Sequence, residues 1–429
     1  MRSRNSGRTP LKKSVAINAG YPAPFRKLLM QKSGKIVVAS QHYPPDQSTT
    51  AAIMSAIANH LATEAPVLVL SGTAGSASGT FDHPGRPAVV EIKNWKPGKA
   101  ALLRRATAEI LFGVRVFLAL LKRLQRGDVV LTVTAPFMLP YAVVAAARLK
   151  RARSALIMHD LFPDVLVMAG LLKPASVLTK GIRAVNALMF RGLDAIITIG
   201  RDTEPLLLRY RGVTRDKIQF IPNWATLAPG VRAIEPDNPF RHSHAARFMV
   251  GLSGNLGFTH DPVIVFEAAR LLRNDANIHF LLSGWGIGFE RLKEMQSGAD
   301  LPNVSLVDRV PDENLEAFLS AADVWLIPYR KNVAGISIPS RFYNLLAVGR
   351  PVLIVSEPDA EAALTVTEHD VGWVVTPGDA GELARTIRLA ALSEDPVRAE
   401  RAAAISRRYN FDDAMAGYSA LAQKLLHEG

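Results

Sequence analysis

The residues best suited to chemistry stand in the segment SIPSRFYNLLAVGRPVL, residues 337–353. The pattern predicts a loop, a short helix that starts at Ser340 and a buried strand, because small residues and a proline precede an apolar run that Gly349 ends. Free N–H groups at a helix start attract phosphate, and Arg341 in the first turn can add a forked contact. We therefore predict that Ser337, Ser340 and Arg341 bind the diphosphate of a nucleotide. An ordinary α/β unit capped by serine is the structural alternative.

A glycine-rich loop, GLSGNLGFTHD at residues 251–261, follows a predicted strand and leads into a predicted helix. Glycine lets a backbone approach a ligand closely, and the helix start again favours an anion. Together with the segment around Arg341, it gives two loops of one sheet that face an anion. The candidate ligand contacts in this loop are Gly254, Asn255, Gly257 and His260.

The string GWGIG at residues 284–288 resembles part of a dinucleotide fingerprint. The G-x-G-x-x-G spacing fails, however, because position 289 is Phe. We interpret Gly284 as part of a tight turn near the nucleotide. A dinucleotide-dependent oxidoreductase stays a weaker alternative, which absence of NAD binding would exclude.

Polar residues also follow two predicted strands in the first half of the chain. His159 and Asp160 open the string HDLFPD, and a His and carboxylates at a strand end can contact a polar ligand. Asp46 in the string YPPDQSTT occupies the equivalent place after the first strand, where it could accept a proton or a sugar hydroxyl. Asx-turn and N-cap roles explain Asp46 equally well, and for Asp164 we prefer the structural role of a loop-capping residue.

The composition excludes several classes of chemistry. The 429 residues contain no cysteine, which removes disulfides, thiolate zinc sites and cysteine nucleophiles. No D-x-D, H-E-x-x-H or G-x-S-x-G motif is present, so the sequence predicts neither a metal site nor a serine triad. We expect no cofactor.

The predicted strands and helices that carry these residues alternate along the chain. Short β-branched runs alternate with helical patterns, which predicts α/β domains with parallel sheets and helices on both faces. Two doubly wound, Rossmann-like domains are expected to face each other across a cleft. The predicted parts are a basic flexible tail (1–34), a first domain (35–224), a linker rich in Pro and Gly (225–244), a second domain (245–395) and C-terminal helices that pack back on the first domain (396–429).

The formal net charge of +13 is unevenly spread, because residues 1–34 hold eight Lys and Arg and no acid. The predicted helix at residues 100–126 is also basic and apolar, with Glu109 as its acid. Both features suit an anionic membrane surface, and a disordered leader and an ordinary surface helix are the alternatives. No segment has the roughly 18 apolar residues that span a bilayer, and no stacking platform or reading motif suggests nucleic acid.

Taken together, the strings SGNLGFTHD, IPNWA, HDLFPD, YPPD, AADVWLIPY and SIPSRFYNLLAVGRPVL resemble family 4 glycosyltransferases, in the branch that makes bacterial exopolysaccharide, colanic acid and O-antigen. The resemblance runs from about residue 35 to 426. It implies a GT-B fold and a retaining, metal-independent transfer from a UDP- or GDP-sugar to a lipid-linked saccharide. In the family's pattern His159 meets the transferred sugar, residues 46–49 lie near the reacting phosphate, and Arg309 and Val310 lie near the base.

The chain departs from the family's pattern at three places. Asn255 and His260 stand where an Arg and a Lys commonly neutralise the diphosphate. Asn344 aligns with a glutamate that holds the ribose, and Ser48 and Thr49 replace a Gly-Gly pair. We expect Arg341, with Arg330 or Lys331, to neutralise the leaving diphosphate and Asn344 to bind the ribose.

The leading hypothesis is a cytoplasmic glycosyltransferase of hexosyltransferase type, bound peripherally to the inner face of the plasma membrane. A catalytically silent nucleotide-sugar-binding scaffold of a polysaccharide assembly complex is the alternative.

Overall fold

The computed structural model of the chain describes residues 34–77, 85–95, 102–235, 237–241, 248–393 and 396–428. The predicted basic tail lies outside these residues, apart from Gly34.

The first domain is built on a parallel sheet of seven strands in the order β3-β2-β1-β4-β5-β6-β7. Its strands are nearly all buried, as β-branched runs covered on both faces require. They are β1 (Ile36–Ser40), β2 (Val67–Ser71), β3 (Ala88–Glu91), β4 (Val129–Val133), β5 (Arg153–Met158), β6 (Ala195–Thr198) and β7 (Ile218–Phe220).

The helices of the first domain cover both faces of this sheet. They are α1 (Thr49–Leu61), α2 (Leu102–Arg123), α3 (Leu139–Lys150), α4 (Asp164–Met168), α5 (Val177–Gly192) and α6 (Glu204–Leu207). Helix α1 packs on one face, and α2, α3 and α5 share the other. The short α4 and α6 are absent from the sequence prediction, because five and four residues are too few to show a helical period.

The second domain is a parallel sheet of six strands in the order β10-β9-β8-β11-β12-β13. These strands are β8 (Phe248–Asn255), β9 (Ile278–Trp285), β10 (Val304–Val307), β11 (Val324–Pro328), β12 (Val352–Val355) and β13 (Gly372–Val375). Its helices are α7 (Pro262–Leu271), α8 (Ile287–Ala299), α9 (Leu315–Ala321), α10 (Arg341–Ala347), α11 (Glu361–His369) and α12 (Ala380–Leu392). Both sheets reverse their strand order beside the first strand, so the predicted pair of doubly wound domains is confirmed.

Two C-terminal helices connect the domains: α13 (Pro396–Ser406) and α14 (Phe411–His427). Ala402 and Ile405 of α13 pack into the core of the second domain, whereas α14 buries Met415 and Tyr418 in the core of the first. The chain therefore returns to the first domain only after Ser406. The C-terminal boundary predicted at residue 396 thus falls one helix too early.

The segment after β7 also connects the domains, and its described part is held along α10. Gly230 and Arg232 donate backbone hydrogen bonds to the carbonyls of Ala347 and Val348. Gly349 ends α10 with a φ of +68°, and a Cβ there would lie 2.8 Å from the Cα of Val231. The predicted left-handed residue at this helix end is therefore confirmed, and the close linker adds a second reason for glycine.

None of the helices in the described part of the chain is both long and apolar enough to cross a bilayer.

Candidate functional site

A cleft of about 380 Å³ lies between the two domains, at the carboxyl ends of their strands. The first domain contributes the start of α1 and the residues that follow β5, β6 and β7. The second contributes the loop after β8 and the segment before α10. The lining includes Thr49, Thr50, His159, Asp160, Ile199, Asn223, Gly254, Asn255, Gly257, His260, Trp285, Ser337, Ser340 and Arg341. The two loops expected to face an anion are thus brought together.

A larger cavity of about 810 Å³ lies at the opposite edge of the second sheet, beside Phe248, Ile278 and Val324, where β8, β9 and β11 begin. Ligands of doubly wound domains bind at the carboxyl ends of the strands, because the switch in strand order opens a crevice there. The smaller cleft between the domains is therefore the candidate site.

Arg341 is the cationic side chain among the described residues that line this cleft. Its guanidinium is largely buried, and burial lowers its pKa; Asp312 partly offsets this, while Arg309 adds to it. No hydrogen bond or ion pair joins its side chain to another described residue. A desolvated cation that contacts no carboxylate, and that Asp312 balances only from a distance, is costly unless a ligand supplies the charge. The local electrostatics therefore favour an anion next to Arg341.

Gly254 lies next to that cation. It is the last residue but one of β8 and has a φ of +119°, and a Cβ at this position would be in ordinary contact, at 3.8 Å, with Nε of Arg341. Because only glycine adopts this φ without strain, the residue type follows from the backbone that the loop needs. The glycine loop and the segment before α10 consequently form one surface, as the sequence predicts.

The structural alternative for residues 337–353, an ordinary α/β unit whose helix is capped by serine, is not supported. Ser340 precedes α10 but makes no capping hydrogen bond through its side chain, so its hydroxyl remains available to a ligand in the cleft.

The loop residue His260, by contrast, contacts neighbouring protein side chains. Its ring packs against Tyr329 at 5.0 Å between centroids, and its Nδ1 contacts the hydroxyl of Thr259. Burial, together with the charge of Arg330, lowers the pKa of His260 to about 4, so His260 does not replace the family's cation at neutral pH.

His159 follows β5 and lines the cleft with an imidazole that meets no partner among the described residues. Its Nε2 is buried without a hydrogen bond. Burial lowers the pKa of His159 to about 4, so the ring is neutral at physiological pH. A neutral imidazole offers one donor and one acceptor, which matches a hydroxyl group.

Asn223 is a site residue that the sequence analysis missed. It follows β7, is only 6% exposed, and its Oδ1 has no hydrogen-bond partner within the described structure. Ile199 lies between it and His159 along the same sheet edge, since the strand order is β5-β6-β7. Two unsatisfied polar groups on either side of an apolar residue suit a sugar, which presents hydroxyls around a carbon ring.

Asp160 contacts the second domain across the cleft. The hydroxyl of Ser337 donates to its carboxylate, and the N–H of Leu161 donates to the carbonyl of Ile336 at 3.3 Å. Burial raises the pKa of Asp160, and the Ser337 hydrogen bond partly offsets the rise. The pair fixes the segment before α10 against the first domain.

A second contact between the domains lies beside this one. The carboxylate of Asp202 accepts hydrogen bonds from the N–H groups of Gly335 at 2.8 Å and Glu361 at 2.9 Å. The guanidinium of Arg201 meets both carboxylate oxygens of Glu361, at 3.0 to 3.2 Å, and also contacts Glu368. These contacts fix the positions of the two domains relative to each other at the cleft.

Asp46 lies behind the cleft surface and is not one of its lining residues. Its carboxylate contacts Nδ1 of His42 at 2.8 Å and accepts the N–H of Ser48. Burial alone would raise the pKa of Asp46, but these hydrogen bonds lower it well below its usual range. The carboxylate thus shapes the loop that presents Thr49 and Thr50 to the cleft, and its predicted catalytic role rests on the family resemblance alone.

Asn344 does not fit the predicted ribose contact. Its Oδ1 accepts hydrogen bonds from the N–H groups of Thr226 and Leu227, and its Nδ2 donates to the hydroxyl of Thr226 at 2.9 Å. The side chain is buried and is absent from the cleft lining. The predicted contact of Asn344 with the ribose is therefore corrected: its side chain fixes the backbone of the linker at Thr226 and Leu227.

Two glycines near the predicted turn have different roles. Gly284 lies inside β9, where a Cβ would come within 2.3 Å of the carbonyl oxygen of Gly254. It is needed for close strand packing and does not form the turn. The turn is made by Gly286, which has a φ of +98°. The prediction for Gly284 as a ligand contact is corrected accordingly.

The two residues predicted near the base, Arg309 and Val310, are not among the residues that line the cleft. Arg309 stacks over the ring of Trp285 at 4.6 Å, and Trp285 lines the cleft. Val310 packs against the core of the second domain. Arg330 and Lys331, the cations expected to help Arg341 neutralise the diphosphate, do not line the cleft. Arg330 instead donates a hydrogen bond to the carbonyl of His260.

The described residues contain no group of three or more His, Asp or Glu side chains that could hold a metal ion. Metal independence itself stays a prediction.

Comparison with known families agrees with this two-domain site. Residues 47–224 match the model of the glycosyl transferase 4-like domain, and residues 248–391 match that of glycosyl transferases group 1. The chain is 28% identical over 294 residues to the probable glycosyltransferase WbjE of Pseudomonas aeruginosa, which covers 68% of this chain and 73% of that protein. It is 26% identical over 308 residues to the putative colanic acid biosynthesis glycosyl transferase WcaI of Escherichia coli, covering 69% of this chain and 74% of that protein.

Solved structures agree in fold. A sucrose-phosphate synthase from Thermosynechococcus elongatus superposes with a TM-score of 0.69 at 16% identity, covering 92% of this chain and all of the other. HepE of Anabaena, solved in complex with UDP and glucose, superposes with a TM-score of 0.64 at 16% identity and the same coverage. At such identities the likeness concerns the fold.

Proposed function

Because the chain belongs to the glycosyltransferases of GT-B fold, with one glycosyl transferase domain in each half, we propose that it moves a sugar from a nucleotide diphosphate to an acceptor in the synthesis of a bacterial polysaccharide. The observation that carries the proposal is Arg341, a largely buried cation in the cleft whose guanidinium makes no ion pair or hydrogen bond with another described residue. The donor is a UDP- or GDP-sugar, in keeping with the UDP and glucose bound by HepE.

The diphosphate of the donor lies against Arg341, Gly254 and the hydroxyl of Ser340. Its two negative charges replace the solvation that the guanidinium loses on burial, and the forked guanidinium suits phosphate oxygens. The base lies toward Trp285 and Arg309, which form a stacked pair at the cleft edge. The start of α1, at Thr49 and Thr50, faces the reacting phosphate from the first domain.

The sugar occupies the side of the cleft formed by His159 and Asn223. The transfer retains the anomeric configuration: the bond from the anomeric carbon to the phosphate oxygen breaks, and the acceptor oxygen bonds to the same face of the ring. The acceptor hydroxyl gives its proton to the departing phosphate, so no carboxylate nucleophile is required. Arg341 stabilises the charge that develops on the diphosphate.

The acceptor is a lipid-linked saccharide bound by the first domain, and the enzyme works on the cytoplasmic face of an anionic membrane. The supporting feature is α2, which joins apolar and basic residues along 22 residues. The transfer is of hexosyl type and uses no metal, as the family resemblance implies.

Turnover of a panel of UDP- and GDP-sugars, with a lipid extract as the source of acceptor, tests the proposal. The expected result is release of one nucleotide diphosphate, dependent on both the donor sugar and the extract. Titration calorimetry on the same panel distinguishes the second candidate, a silent nucleotide-sugar-binding scaffold. That candidate is favoured by His260, which is neutral where the family has a cation. Tight donor binding with no turnover of any donor would support it.

A further inference from the structure

The larger cavity, of about 810 Å³, lies at the edge of the second sheet opposite the cleft. It is beside Phe248, Ile278 and Val324, at which β8, β9 and β11 begin. We name it the basal cavity. Its volume is within the range of about 300–1,000 Å³ that is typical of small-molecule sites. The residues that line it therefore decide what kind of ligand it can hold.

Arg350 is a buried cation in the lining of the basal cavity. It is only 4% exposed, and its Nη2 donates to the carbonyl of Ser320 at 2.9 Å. Its Nε is buried without a hydrogen bond, and its Nη1 makes none with another described residue. Burial lowers the pKa of Arg350; Asp323 partly offsets this, while Arg241 and Arg232 add to it. Since buried N–H groups are normally paired, the guanidinium lacks acceptors that a bound anion can supply.

The charges described around the basal cavity have an excess of one positive charge. Four charged residues line the cavity in the described part of the chain, two acids and two arginines. Asp275 pairs with Arg388 at 3.6 Å, and Asp323 pairs at 2.9 Å with Arg241, which lies outside the lining. Both acids thus have a cation already, and Arg350 makes no ion pair with a described residue. The cavity consequently matches a ligand with a single negative charge.

Apolar side chains form most of the remaining described lining of the basal cavity. They include Phe248, Pro351 and, at the end of α12, Leu392. The ring of Trp373 also lines the cavity, and the guanidinium of Arg398 stacks over this ring at 4.6 Å. A buried cation among apolar side chains suits an organic anion, because the carbon body leaves water at the same time as the charge is paired.

We infer that the basal cavity binds a small organic carboxylate, with its carboxylate group against Arg350 and its carbon body against the apolar lining. A carboxylate supplies the single charge that the cavity needs, whereas a phosphate monoester carries about 1.5–2 negative charges at neutral pH. The site is separate from the cleft, because Arg341 begins α10 at the cleft and Arg350 follows the end of the same helix at the opposite edge of the sheet. Binding there does not depend on the proposed function.

Ligand-observed NMR titration of the full chain tests the inference, with benzoate as the probe. Acetate has the charge without the ring, and benzyl alcohol has the ring without the charge. Phenyl phosphate distinguishes a phosphate from a carboxylate as the preferred anion. The test variant is Arg350→Met. The matched control is Arg341→Met, which removes the other largely buried arginine of the same segment.

We expect benzoate to bind the wild type with a Kd of about 1–10 mM, the range for a ligand of its size. Acetate, benzyl alcohol and phenyl phosphate should each bind at least about tenfold more weakly. Arg350→Met should weaken benzoate binding at least about tenfold, because the carboxylate loses its cation, and Arg341→Met should leave it unchanged.

Several results would overturn the inference. One is a wild type that binds no benzoate. Equal affinities for benzoate and acetate would mean an adventitious ion only, and a loss in Arg341→Met as large as that in Arg350→Met would place benzoate in the cleft. Phenyl phosphate that binds as tightly as benzoate would refute the assignment to a carboxylate.

A second variant keeps the test independent of the stability of Arg350→Met. Ala391 also lines the cavity, so Ala391→Phe fills part of the space and keeps the cation. If Arg350→Met shows no cooperative unfolding in urea, Ala391→Phe takes its place, and we expect the same loss of at least about tenfold in benzoate affinity. Unchanged benzoate affinity in a folded Ala391→Phe would overturn the inference.

Discussion

Replacing Arg341 by methionine should separate the stability of the protein from its activity. The substitution keeps an unbranched stem of similar length and removes the charge. Because the guanidinium is largely buried and makes no ion pair with another described residue, its removal should leave the free energy of unfolding unchanged or raise it by up to about 2 kcal/mol. A structural arginine would behave in the opposite way.

Activity should fall steeply in the same variant. A unit charge about 4 Å from a phosphate oxygen contributes on the order of 4 kcal/mol at the effective dielectric of a partly buried site. Loss of one stabilising donor at a developing anion typically costs about 10²–10³ in rate, or about 3–4 kcal/mol. The Coulomb energy and the usual cost of a lost donor both predict a drop of about 10²–10³ in kcat/KM for Arg341→Met.

The assay measures nucleotide diphosphate release from the donor that the panel identifies, together with urea unfolding of the protein without ligand. Arg341→Lys is the matched control, because it keeps the charge and loses the forked geometry; its activity should lie between the other two. A kcat/KM within threefold of wild type (about 0.7 kcal/mol) for Arg341→Met would refute the assigned role. So would a loss of more than about 2 kcal/mol in unfolding free energy, because it would make Arg341 a structural residue.

Three further predictions concern the rest of the cleft. Asn223→Ala should weaken the affinity for the nucleotide sugar by about tenfold and leave that for the free nucleotide diphosphate unchanged, since its amide faces the sugar side; equal losses in titration calorimetry would contradict this. Asn344→Ala should lower the unfolding free energy by about 2–3 kcal/mol, because Thr226 loses its buried partner, and should spare nucleotide affinity; a selective loss of affinity would restore the ribose role. His159 and His260 have pKa values of about 4 in the folded protein, below the usual 6.5, so their contribution to stability is present above pH 6.5 and is lost as the pH falls toward 4. Urea unfolding between pH 7 and 4.5 should therefore show a shallower pH dependence for His159→Gln than for wild type, and an identical slope would contradict the buried, neutral imidazole.

The positions of the strands were within reach of the sequence because each strand is a local signal. Buried β-branched runs such as Val129–Val133 and Val352–Val355 coincide with the observed strands. Helix ends marked by a capping residue or a left-handed glycine were equally readable, as at Gly349. The short α4 and α6 were not, because a single helical turn carries no period.

The sequence predicted which residues lie at the cleft where their position depends on their own segment. It did so less well where the position depends on contacts distant in the chain. Arg341 and Gly254 come from loops that parallel topology must bring to one sheet edge. Asn344 was misassigned because its partner, Thr226, lies 118 residues away in the chain. Asn223 was missed because an unsatisfied amide is visible only once its surroundings are known.

We propose that the cleft holds the diphosphate of a nucleotide against Arg341. Thermal unfolding of the wild type and of Arg341→Met, with UDP, GDP and the corresponding monophosphates, measures this binding, because a bound ligand stabilises the native state by mass action. We expect one diphosphate to raise the wild-type midpoint, its monophosphate to do so far less, and both effects to vanish in Arg341→Met. No shift with any diphosphate, or the same shift in both proteins, would contradict it.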